Sequence, residues 1–314
     1  MDTTIAYDPG LTQKYTASIR RIINKDGQFN VKRRGVTWRD VHPYLYMINT
    51  SWPRFFLDVF IGYLAMNIFF AAIYFTAGVE RIKGAEAPTT FGRFLNVFFF
   101  SAHTLTTVGY GNMWPQGVIA NSIAAVEALF GLMTFALATG LLFGRFSRPA
   151  ARLGFSQHML VAPYKDGRSL QFRIANRRSN NLMELEARLL LVTVEMMGDK
   201  LQRRYQALTL ERPNVLFLPL TWTIVHPLDE ASPLYGKTPE DLSSLQAELL
   251  VLVKAFDDTF YQILHTRYSY RHDEIVWGAH FEPAFSIDGE GDLVLEMDLL
   301  NKYSEAPTAA PQLG

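Results

Sequence analysis

Two apolar runs, at about residues 55–77 and 118–143, constrain this chain more than any other feature. At ~1.5 Å per residue each is long enough to cross a hydrocarbon core of ~30 Å. Asp58 and Asn67 interrupt the first run and Glu127 the second. The alternative is a pair of helices buried in a large soluble core, which are usually shorter. Hydrophobic residues make up 49% of the 314, yet mean hydropathy is only +0.04, so the chain reads as part membrane and part soluble. That length suggests about two domains.

The formal net charge of zero argues against nucleic acid as a partner. With no cysteine, disulfides and thiolate chemistry are excluded and structural zinc is disfavoured. About fifty mostly polar residues precede the first apolar run, which does not resemble a signal peptide. Arg33, Arg34, Arg39 and Arg54 precede or open the first run, and Arg145, Arg148, Arg152, Lys165 and Arg168 follow the second. The loop between holds only Arg81, Lys83 and Arg93, so the positive-inside rule places both termini in the cytoplasm and the loop outside.

Within that loop, residues 80–90 read as an exposed polar turret and 91–104 as a re-entrant helix too short to span. Next comes Thr106-Thr107-Val108-Gly109-Tyr110-Gly111. A dehydrated K+ needs oxygen ligands all round, and stacked backbone carbonyls supply them. Glycines at 109 and 111 allow conformations that turn successive carbonyls the same way. One strand gives only part of each oxygen ring, so several copies around an axis are implied. Irregular backbone at membrane depth is tolerated where it lines a water-filled path.

Residues 37–46 mix aromatics with charges and read as a short helix on the inner membrane surface, or as a linker. From about 157 to 298, strand-like runs, among them 187–195, 216–225 and 249–256, alternate with turn residues, as in an antiparallel β-sandwich. Thr238-Pro239-Glu240-Asp241 reads as a capped helix start. The expected division is a cytoplasmic N-terminal segment 1–35, an interfacial helix 36–50, a two-span pore domain 51–149, a sandwich 150–300 and a disordered tail 301–314.

Four stretches carry a resemblance to the inward-rectifier potassium channels, particularly their prokaryotic branch: TTVGYG at 106–111, LLFGRFSRP at 141–149, HPLDEASPLYG at 226–236 and DEIVWGAHFEP at 273–283. The resemblance implies membrane helices joined to an all-β immunoglobulin-like cytoplasmic sandwich. It implies a homotetramer in the cell membrane, not an enzyme, with no cofactor beyond permeant K+ at Thr107, Val108, Gly109 and Tyr110. Gly131 matches an inner-helix bending point, or else packs a helix closely. Phe143 matches a constriction at the helix-bundle crossing, or else faces lipid. A second gate within about 255–265 rests on the resemblance alone.

Phe135 stands where strong rectifiers carry an acid, so block by Mg2+ or polyamines from the cavity is expected to be weak; Ba2+ is a further expected blocker. Glu127 either faces the cavity or supports the filter through the pore helix. Glu184 matches an acid of the cytoplasmic pore, or is a solvated surface acid. Arg39, Arg54, Arg145, Arg148 and Arg152 either bind anionic lipid or merely set topology. His103 and Met113 occupy the positions of an acid–arginine pair that braces the filter in many relatives, so another brace is expected. No GxGxxG turn after a strand, GxSxG elbow, HExxH helix or P-loop favours an enzyme or nucleotide-binding reading, and His226, His265, His272 and His280 read as structural.

Overall fold

The computed structural model describes residues 10–14, 21–35, 37, 42–147 and 152–306. It divides into two units, one spanning 33–148 and one joining the segment before residue 33 to the chain from 149 onward.

In the first unit, α1 (Pro43–Asn49) precedes α2 (Trp52–Ala77). α2 starts earlier than the apolar run because Pro53 suits a first turn, where its missing N–H has no partner to lose. After β1 (Ile82–Lys83) come α3 (Thr90–Leu105), β2 (Trp114–Pro115) and α4 (Gly117–Phe146). The Thr89 side chain caps α3 by accepting from the Gly92 N–H at 3.0 Å. Phe70, Ala71 and Tyr74 of α2 pack with Val97 and Phe100 of α3 and Ala120 of α4. Elsewhere both long helices are apolar and open: only 17% and 11% of their most apolar windows is buried. A soluble core would bury them, so the membrane reading stands and the soluble alternative falls. The loop expected as an exposed turret is partly sequestered. β1 pairs with β2, Ile82 against Pro115, and Ile82 and Ala85 are buried because they close the apolar cluster over the pore helix.

In the second unit the strands are β3 (Leu153–Phe155), β4 (Met159–Tyr164), β5 (Gly167–Asn176), β6 (Leu182–Met197), β7 (Lys200–Leu208), β8 (Asn214–Phe217) and β9 (Thr221–Pro227). α5 (Pro239–Ser244) separates these from β10 (Glu248–Asp257) and β11 (Gln262–Arg271). The short β12 (Ile275–Trp277), β13 (Ala279–Phe281), β14 (Phe285–Ile287), β15 (Leu293–Leu295) and β16 (Tyr303–Glu305) follow. One sheet runs β11-β10-β6-β7 with β8 on β6; the other runs β12-β4-β5-β3 with β9 on β5. Their facing sides bury Leu185, Leu191, Phe172, Ile174, Ile224 and Leu249 among others. β9 alternates along its length, burying Trp222, Ile224 and His226. Thr238 and Asp241 form a reciprocal capping box at α5, as the sequence implies.

Three expectations need correction. The sandwich is not wholly antiparallel: β12 runs parallel to β4. The run 216–225, expected as one strand, breaks around Pro219, which has no N–H for a ladder; β8 joins one sheet and β9 the other. The tail does not begin at residue 301, because Tyr303–Glu305 pairs antiparallel with Ala279–Phe281.

The N-terminal segment is part of the sandwich unit. Lys14 bridges Gln202 on the free edge of β7, and the Arg203 N–H donates to the Gln13 carbonyl at 2.8 Å. Ile23 is buried with Leu190, Val192, Tyr205 and Leu250.

Candidate functional site: the filter and its supports

The 106–111 stretch leaves the C-terminus of α3 with a distinctive backbone. Thr107, Gly109 and Gly111 have φ of +59°, +55° and +80°, whereas Val108 and Tyr110 are not in the left-handed region. Alternating left-handed residues turn successive peptide units so that their carbonyls face one side, which an ordinary strand cannot do. Their N–H groups face the other way. Val108 N–H donates to the His103 carbonyl at 2.9 Å and Thr107 N–H to the Thr104 carbonyl at 3.1 Å. Among the described residues no donor reaches the carbonyls of 106–110, and all six residues of the stretch are exposed in the single chain. Thr107 adopts φ > 0 without being glycine, which costs of order 1 kcal/mol, and the hydrogen bonds to α3 hold it there.

His103, one of the two positions where that pair is missing, makes contacts with this stretch. Its ring meets the Tyr110 ring edge-on at 4.8 Å, and its carbonyl anchors the filter N–H groups. Met113 packs instead against the apolar cluster around Ile82.

Glu127, placed in the pore cavity as one reading of the sequence, is not there. It is fully buried; its carboxylate accepts from the Tyr74 hydroxyl at 2.6 Å and, through a short contact, from the Ser101 hydroxyl. Ser101 also lies 3.3 Å from Asn67 Oδ1, and Asn67 Nδ2 donates to the Tyr63 carbonyl at 2.7 Å. One polar cluster thus ties α2, α3 and α4 together behind the filter. The reason is helical phase. Glu127, Gly131, Phe135 and Phe143 recur at multiples of four, but 3.6 residues per turn swings Phe143 about 160° from Glu127. Phe135, Thr139 and Phe143 are exposed, whereas Glu127 and Gly131 are buried.

Gly131 is a packing glycine. A Cβ there would stand 2.0 Å from the Leu105 carbonyl oxygen, so α4 touches the end of the pore helix directly. α4 is continuous through this point.

Glu184 is exposed and has φ of +51° at a β-bulge opposite 254–256. Of the basic residues, Arg39 and Arg148 lie outside the described residues. Arg54 is exposed, with its guanidinium 5.8 Å over the Tyr46 ring; Arg152 is exposed as well. Arg145 departs from the expectation of a free lipid contact. It donates to the carbonyls of Met47, Ile48 (3.1 Å) and Thr50 (2.9 Å), and lies 4.4 Å from the Trp52 ring and 4.6 Å from the Phe55 ring. The C-terminal carbonyls of α1 have no intrahelical donors, and this cation satisfies them.

Two supports had no clear sequence signal. Ser101 and Tyr74 could have been suspected only as polar atoms in apolar helices. Glu248, on β10, is 6% exposed, and each of its oxygens accepts the Ile22 N–H at 3.0 Å. Ser269 Oγ donates to the Ile23 carbonyl at 2.7 Å, while Arg21 and Lys25 reach Glu274 at 2.5 and 2.9 Å. Burial pushes the Glu248 carboxyl above its ordinary range, with Ser269 and the N–H groups of Ile22 and Ile23 opposing. In the 226–236 motif, His226 Nδ1 lies 2.6 Å from the Thr209 carbonyl and Nε2 2.8 Å from Ser232 Oγ. Burial holds His226 below its ordinary value.

The family model described as "Inward rectifier potassium channel C-terminal domain" matches residues 153–313, and that described as "Ion channel" matches 55–148. The inward rectifier potassium channel Kirbac3.1 of Paramagnetospirillum magnetotacticum is 36% identical over 289 residues, covering 91% of this chain and 96% of its own. The G protein-activated inward rectifier potassium channel 3 of Mus musculus is 26% identical over 331 residues, covering 96% and 82%. The ATP-sensitive inward rectifier potassium channel 12 of Bos taurus is 25% identical over 319 residues, covering 92% and 72%.

Proposed function

This chain belongs to the inward rectifier potassium channel family, and we propose that it assembles as a homotetramer conducting K+ passively across the cell membrane. Carbonyls of Thr107, Val108, Gly109 and Tyr110 from four copies replace the hydration shell of the ion, with the Thr107 hydroxyl at the inner mouth. The observation that carries this reading is the alternation of left-handed residues at 107, 109 and 111, with the N–H groups of 107–109 tied to α3 and, among the described residues, no donor on the carbonyls.

Phe143, 73% exposed in the single chain, forms the constriction: four rings on an axis make a gap that dewets. Both termini lie in the cytoplasm, where Glu184 faces the continuing ion path. Phe135 puts no carboxylate in the cavity, so internal spermine and Mg2+ block weakly, while Ba2+ blocks at the filter. Arg54 and Arg152 attract anionic lipid by about 1 kcal/mol each, and that attraction modulates opening.

The test is rubidium tracer uptake into liposomes holding the purified protein. Uptake that barium stops, that sodium does not replace and that Phe143→Ala increases supports the reading. A folded tetramer that passes no rubidium in any lipid mixture, even as Phe143→Ala, overturns it.

A further inference from the structure

The interior of the sandwich changes character at one end. The core face of β6 carries Leu185, Ala187, Leu189 and Leu191, then Thr193 and Glu195. On β7, Gln206 pairs with Leu191 and Arg204 with Thr193. Positions that continue an apolar core are therefore polar, yet Thr193 and Gln206 are only 3% and 8% exposed.

The 228–237 turn and α5 roof this end and leave a cavity of about 290 Å³. The roof is fixed in place. Ser232 is bonded to His226, its N–H donates to the Asp229 carbonyl at 2.9 Å, and the Val194 N–H donates to the Leu245 carbonyl at 2.8 Å.

The polar lining is not self-satisfied. Thr193 Oγ1 donates to Glu195 at 2.7 Å, and Arg204 reaches the same carboxylate at 3.4 Å. Among the described residues, no hydrogen bond reaches the Gln206 side-chain amide and no carboxylate pairs with Lys237, although both line the cavity. One acid against two cations leaves a net positive lining. The Gln206 amide lines the cavity with its donors open to it, and an anion there would give both it and the Lys237 ammonium a partner. Leu234 and Leu242 give the other wall an apolar surface.

We propose that this cavity binds a small organic carboxylate with a short apolar chain. The carboxylate sits between the Lys237 ammonium and the Gln206 amide, and the chain lies against Leu234 and Leu242. The site belongs to the sandwich and does not depend on conduction.

The experiment is an NMR titration of full-length protein with butyrate, and with butanamide as the uncharged match. The expected result is saturable butyrate binding, weakened at least about tenfold in Lys237→Met and in Gln206→Leu, with butanamide weaker than butyrate. Lys237 lies on a surface turn, so its variant folds even where Gln206→Leu does not; elution volume and melting temperature check both. Absence of saturable binding to the wild type, equal binding of butanamide, or unchanged affinity in Lys237→Met overturns the proposal.

Discussion

The Tyr74 hydroxyl on the first span donates to the Glu127 carboxylate on the second at 2.6 Å, and Ser101 of the pore helix reaches the same acid from the other side. Tyr74→Phe removes one buried hydrogen bond and leaves a Glu127 oxygen without that donor, and is expected to lower stability by about 1–3 kcal/mol. Glu127→Leu leaves two buried hydroxyls and is expected to lower it further and to loosen discrimination of rubidium against sodium. Thermal unfolding and paired tracer uptake check both. Wild-type stability in Glu127→Leu would refute the role of the cluster.

Gly131 and Gly140 lie on the same helix in opposite circumstances. A Cβ at Gly131 meets the Leu105 carbonyl at 2.0 Å, and one at Gly140 meets nothing within 4 Å. Gly131→Ala is expected to destabilise the fold by roughly 1–3 kcal/mol and to disturb the filter base, while Gly140→Ala is tolerated. If Gly131 served only as a hinge, Gly131→Ala would alter opening and leave the melting temperature unchanged.

The Glu248 carboxylate holds residues 22–23 against the sandwich. Glu248→Ala leaves those N–H groups without their acceptor, a loss of about 1–3 kcal/mol. Amide exchange at Ile22 is expected to accelerate about tenfold or more, by the same free energy. Unchanged exchange at Ile22 would show that the apolar burial of Ile23 alone retains the segment.

His226 makes sandwich stability pH-dependent. Its folded-state value lies below the ordinary one, first through burial, with the Thr209 carbonyl and Asp229 opposing. The unfolded chain therefore binds the proton more readily. The contribution of His226 is present above the unfolded value and is lost as pH falls below roughly 6.5. Melting temperature is expected to drop between pH 7.5 and 5.5, and His226→Gln to flatten that drop. An equal drop in the variant would assign the effect to other groups.

Much was legible in the sequence where a local pattern has a local cause. The long helices follow from apolar length, the left-handed backbone at 109 and 111 from their glycines and the capping box from Thr238 and Asp241 three residues apart. The strand order, the parallel β12–β4 pair and the switch at Pro219 depend on pairings between distant residues, for which a single sequence carries little signal. The attachment of the N-terminal segment to Glu248, over two hundred residues away in the chain, depends on the same kind of pairing.

The sequence by itself determined two helices long and apolar enough to cross a membrane and left-handed turns at Gly109 and Gly111 between them, because the solvent preference of about twenty consecutive residues and the freedom of a glycine are properties of those residues. Only the tertiary structure decided which way Glu127 faces, that Gly131 packs on Leu105 and that Arg145 closes α1. Around a helix a side chain's direction follows from phase, but its partner depends on what packs against that face, and that is set by the whole fold.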